Sequence, residues 1–132
     1  PGMLFFSKPI TKILAARSGV VVRVKEDGDK GGWNKKFRPH GNMIIIEHAD
    51  SSRAGYWHLQ KNGALVIIGD TVKQGQVIGL SGKTGYTAFP HLHFLVWKFS
   101  GRGQWQQLAT RFQTSKGIKY LKPLKRYRSS IQ

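Results

Sequence analysis

Residues 66–79, VIIGDTVKQGQVIG, constrain the fold of this chain more than any other stretch. Their apolar pieces are very short, rich in valine and isoleucine, and cut by Gly69, Gly75 and Gly79. Pieces this short do not nucleate a helix. They satisfy their backbone groups by pairing across close turns, which requires a compact all-β barrel or sandwich. The remaining pattern agrees. Residues 13–16 and 20–25 are apolar runs around the turn Arg17-Ser18-Gly19, and residues 42–48 (NMIIIEH) read as a buried strand. Residues 53–59 and 91–99 read as further strands, with one more at 105–112. Residues 26–38 are polar and glycine-containing and read as a long exposed loop, and Asn62-Gly63 reads as a hairpin turn. No stretch shows a helical period of useful length.

The 132 residues amount to one domain, with a basic tail at 113–132. Net charge is +16, and no acidic residue follows Asp70. A field of this sign draws anionic partners such as nucleic acid, anionic lipid or acidic envelope polymers, and equally serves as a solvated surface. There is no cysteine, so disulfides, thiolate metal sites and cysteine nucleophiles are excluded. No apolar run has the length of a membrane span, and the first residues do not read as a signal peptide.

Chemistry concentrates in the histidines: His40, His48, His58, His91 and His93. His40 and His48 read as structural. His91 and His93 stand at i and i+2 in a strand-like run, so both belong to one face of a sheet. Two imidazoles on one face suit a metal site, or a metal ligand beside an acid/base group. His58 lies on another β-like run, where alternation puts it on the face of Tyr56 and opposite Trp57. Convergence of three histidines is expected.

The order of these segments adds specificity. Residues 15–21 (AARSGVV), Tyr56-Trp57-His58-Leu59, residues 69–79, Ser81-Gly82-Lys83-Thr84-Gly85 and Pro90-His91-Leu92-His93-Phe94 succeed one another as they do in LytM/lysostaphin-type metallopeptidases, which the chain resembles over residues 13–97. The resemblance implies antiparallel sheets with a barrel-sandwich hybrid core, a zinc in a long groove, and cleavage of stem or bridge peptides of peptidoglycan in the bacterial envelope, periplasmic or extracellular. It implies His93 as a zinc ligand and His58 and His91 as catalytic histidines that move the proton of the attacking water. Tyr56, Tyr86 and Trp97 are candidates for groove walls, or simply packing residues.

One departure is visible. The family's other two zinc ligands come from an H-x-x-x-D-type motif, whose Asp aligns with about Phe5. No histidine precedes His40 and no acid precedes Glu26, so the domain reads as incomplete at its N-terminal side, with zinc weak or absent. Asp50 and Asp70 occupy turns, and Glu47 adjoins a buried strand. Two readings follow: an endopeptidase domain impaired by missing ligands, or a degenerate member that binds peptidoglycan or regulates a partner hydrolase. A biotinyl/lipoyl-like carrier lacks an acceptor lysine in the required context. Nucleic-acid binding rests on charge alone, and no specific nucleic-acid partner is expected.

Overall fold

The computed structural model describes residues 3–5, 11–87, 91–101, 103–114 and 117–120. Among these, the side chains of 3–5, 91, 112–114 and 118–120 are outside the description. The chain is built of strands: β1 (Met3–Phe5), β2 (Lys12–Leu14), β3 (Gly19–Lys25), β4 (Gly31–Gly32), β5 (Asn42–Glu47), β6 (Arg53–Ala64), β7 (Thr71–Val72), β8 (Val77–Ser81), β9 (Gly85–Tyr86), β10 (His91–Phe99), β11 (Trp105–Gln107), β12 (Arg111–Thr114) and β13 (Gly117–Tyr120). A short 3-10 helix spans Lys35–His40. The main sheet runs β1-β10-β6-β5-β3-β7, with β11 also on β10 and β8 joining β6 to β2. Its pairs are antiparallel, as the expected all-β, barrel-sandwich class requires.

Alternation separates the two faces of this sheet. Ile44, Ile46, Ala54, Tyr56, Leu92 and Phe94 fill one face, and Ile13, Val72 and Ile78 from the short strands, with Val66, Val21 of β3 and Leu59 of β6, complete the core. The glycine-punctuated stretch therefore supplies the core's second wall. Tyr56 is wholly buried and stacks at a tilt on Phe94, its ring centroid 5.1 Å away. Its hydroxyl accepts the backbone N–H of Ala16 at 2.8 Å, and burial pushes its pKa up to about 12. Tyr56 is thus a core residue tying the sheet to the 15–18 turn, and it walls no groove.

The other face reads off the register in rows across the central strands. Met43, Trp57 and His93 form one row, Ile45, Gly55 and Leu95 the next, and Glu47, Arg53 and Trp97 the third, which Gln107 extends. This is the face that carries chemistry.

Two expectations need correction. The 26–38 segment is no plain loop: β4 pairs in parallel with β9, and the 3-10 helix starts where the Asn34 side chain accepts the Lys36 N–H at 3.0 Å. Propensity did not mark this helix because its hydrogen bonds are local and its residues largely exposed. Asn62-Gly63 makes no hairpin; it lies inside β6, where Asn62 has φ +56° and donates its N–H to Glu26 O at 2.9 Å. Within the basic segment 113–132, the described residues belong to the β12–β13 hairpin, and residues 121–132 lie outside the described residues.

Replacing Tyr56 by Phe leaves the part-buried N–H of Ala16 without its acceptor. A loss of about 1–2 kcal/mol in urea unfolding, with unchanged denaturant slope, is expected.

Candidate functional site

Strand β6 bears one irregularity that creates the site. Tyr56 pairs with Phe94 and Trp57 with His93, while on the other side β5 pairs Met43 with Trp57 and then Asn42 with Leu59, skipping His58. His58 is the extra residue of a β-bulge, and its φ of +69° lies in the left-handed region. Simple alternation would place its ring beside Tyr56, in the core. The bulge instead turns it to the outer face, where it stacks on His93 with ring centroids 5.9 Å apart and planes 22° apart. The expected side of His58 is thus reversed, although the pairing of His58 with His93 is found. A non-glycine residue in this region costs on the order of 1–3 kcal/mol, so the surroundings must hold it there.

They do so by a buried network. His58 Nδ1 lies 2.7 Å from the carbonyl oxygen of Thr84. A carbonyl only accepts, so Nδ1 carries the proton and Nε2 is the basic nitrogen of the neutral ring. Thr84 is fixed in turn: its hydroxyl donates to Leu59 O at 2.6 Å and accepts the Asn42 N–H at 3.0 Å. Asn42, fully buried, accepts the Gly28 N–H at 2.8 Å and donates to Gly28 O at 2.8 Å and Leu59 O at 3.3 Å. The carbonyl can approach His58 because Gly85, at φ +85°, has no side chain; a Cβ there would meet Gly41 Cα at 2.8 Å and His58 Nδ1 at 3.4 Å. Among the described residues no buried side-chain polar atom lacks a partner.

His93 is half-buried, and Trp57 packs against it with centroids 5.4 Å apart. His91 opens β10, its backbone paired with Phe5; its side chain is outside the described ones. His48 is buried with Nδ1 2.7 Å from Ser18 O, and His40 ends the 3-10 helix with its ring near Phe37. Beyond the pair, Tyr86 stacks on Trp33 at 5.1 Å, and the Arg38 guanidinium lies over Tyr86 at 5.4 Å.

The acids do not reach the pair. Asp50 accepts from the N–H and hydroxyl of Ser52 and from Arg17, which together hold its carboxyl well below the usual range; Asp70 accepts the Ile67 N–H. Glu47 does share the outer face, contrary to its expected aim, but it is bound to Arg53 at 2.9 Å. It also sits two rows from His93, roughly 13 Å along the strand direction. A catalytic zinc takes three protein ligands. Among the described residues no group of three histidines or carboxylates stands close enough to hold a metal. Strand β1 lies along the edge of β10 opposite the histidines, and its residues are Met3, Leu4 and Phe5. Among the described side chains, the donors do not fit a three-ligand catalytic zinc site.

The sequence pointed to His58 and His93, whose rings the fold brings together, but not to Asn42 and Thr84, which hold His58 in place. An asparagine opening an apolar strand was the one available signal. Asn42→Ala strips three hydrogen bonds from the network, and a destabilisation of about 2–3 kcal/mol is expected by chemical denaturation.

Comparison with known proteins gives concordant matches. The family profile described as Peptidase family M23 matches residues 1–107. An uncharacterized metalloprotease of Buchnera aphidicola is 45% identical over 94 residues, covering 70% of this chain and 22% of that protein. The peptidoglycan DD-endopeptidase ShyC of Vibrio cholerae is 40% identical over 84 residues, 64% of this chain and 17% of that one. The catalytic domain of the antimicrobial peptidase lysostaphin from Staphylococcus simulans superposes with a TM-score of 0.54 at 35% identity, over 78% of this chain and 71% of that domain. The chain spans about a fifth of the length of the curated relatives it matches.

Proposed function

We infer the function from one premise: this chain belongs to peptidase family M23. Its relatives include peptidoglycan endopeptidases, and we read it as a peptidoglycan-directed endopeptidase domain of the bacterial envelope, impaired as a zinc enzyme in these 132 residues. The observation that carries this reading is the His58–His93 pair, built on the outer face by a bulge and a dedicated buried network.

Hydrolysis of a peptide bond requires a base for water, a donor for the developing oxyanion and an acid for the leaving amine. His58, with Nδ1–H committed to Thr84 O, offers Nε2 as the group that takes and returns a proton. His91 is the second proton-handling histidine in this reading. His93 is the chain's own contribution to metal binding, and a zinc ion, where bound, would supply an acidified water and polarise the scissile carbonyl. Peptide stems or bridges are the substrate class. The excess of cations suits anionic envelope polymers, and among the described residues no helix is long and apolar enough to cross a membrane.

The donor shortage favours a second reading for the chain as it stands: a peptidoglycan-binding domain that does not cleave, or that regulates a partner hydrolase. Digestion of purified peptidoglycan with and without added zinc, with His91→Ala alongside, separates the two. The expected outcome is less than stoichiometric zinc by metal analysis, with weak muropeptide release that added zinc raises and His91→Ala abolishes; release no greater than from the His91→Ala variant would favour the non-cleaving reading. One zinc per chain, with zinc-dependent release abolished by His91→Ala, would instead establish an intact enzyme.

A further inference from the structure

Beyond the histidine pair the same sheet face continues as a broad aromatic surface, and the expected groove does not account for it. In the row of His93, Trp57 does not stand upright: its six-membered ring lies across Gly55, where any Cβ would collide with it. The indole is thereby laid along the sheet towards Trp97, with centroids 5.8 Å apart. Trp97 meets Trp105 edge-on at 6.4 Å, and Trp105 is 52% exposed. The Arg53 guanidinium lies over the Trp105 ring at 5.1 Å and is held by Glu47 at 2.9 Å. Trp97 stands in a cross-strand row between Arg53 and Gln107. Trp57 and Trp97 are half-buried and Trp105 is exposed, and a partly open aromatic face of this kind beside a site marks a binding surface.

We propose that this face, centred on Trp97, is a saccharide-binding platform that holds the glycan part of the polymer whose peptide part lies at the histidine pair. The proposal rests on the peptidoglycan reading above. A pyranose ring has an apolar C–H face and a rim of hydroxyl and acetamido groups. An indole face takes the first, and planar side chains flanking it, the Arg53 guanidinium and the Gln107 amide, take the second. Two other occupants fit less well. A peptide adding as a strand needs an open sheet edge, whereas β10 here is paired on both sides, by β6 and β11. A nucleic acid needs uncompensated cations along the stacking rings, whereas the cation in this row is neutralised by Glu47. The surface is continuous with the site, since Trp57 touches both His93 and Trp97.

The test is tryptophan emission of the 132-residue chain titrated with a linear N-acetylglucosamine tetramer in metal-free buffer, so that it does not depend on hydrolysis. A saturable change is expected, with Kd raised about tenfold or more in Trp97→Ala, the loss of one stacking contact. Gln107→Ala, at an exposed position that folding does not require, raises Kd several-fold, and circular dichroism confirms that both variants fold. No saturable change, equal Kd in both variants, or oligothymidylate binding weakened by the same substitutions would overturn the platform. Co-sedimentation with whole peptidoglycan keeps the two readings apart. Sedimentation that is equal in wild type and variants, without tetramer binding, sinks the platform alone. Tetramer binding without sedimentation sinks the peptidoglycan reading.

Discussion

The left-handed backbone at His58 is the constraint on which the rest of the site depends. One extra residue in β6, unmatched in β5 and β10, inverts the facing of a single side chain while Tyr56 and Trp57 keep theirs. Without it the imidazole would be packed among Ile44, Tyr56 and Phe94, and His93 would lack its neighbour. The strain is offset by hydrogen bonds linked in series: Thr84 behind the ring, Asn42 behind Thr84, and Gly28 behind Asn42. The 26–41 segment is thereby tied to the histidine it borders, which explains why a stretch so polar is ordered by pairing with β9.

The two sides of the central sheet divide the labour. The inner side is a continuous apolar core, closed by the short strands of the glycine-punctuated stretch. The outer side holds, in successive rows, a histidine row, a row opened by Gly55, and a row of charged and aromatic residues. Reactive groups and a broad stacking surface thus share one rigid support. Strands position such groups more tightly than loops do.

Much of this was legible in the residues. Short apolar pieces between glycines required β pairing, and residues 91–99 mark β10 to the residue. The ordered motifs around His58, His91 and His93 pointed to the family. What alternation could not supply was the bulge, because nothing in Tyr56-Trp57-His58-Leu59 distinguishes a regular strand from one with an extra residue. Asn62 misled for a related reason: asparagine tolerates positive φ equally in a hairpin turn and within a distorted strand. Thr84 and Asn42 escaped notice because their roles lie in backbone contacts separated by tens of residues. Strand β1, in register with His91 and His93 on β10, consists of Met, Leu and Phe.

The central claim is that a bulge and a carbonyl fix His58 as the Nδ1–H tautomer, stacked on His93. Long-range proton–nitrogen correlation spectra of the imidazoles, read with proton–proton contacts between the rings, test this directly. The account predicts that His58 near neutral pH shows a protonated Nδ1, a pyridine-like Nε2 and close contacts to His93. An Nε2–H tautomer, or a His58 ring in contact with Phe94 rather than His93, would contradict it.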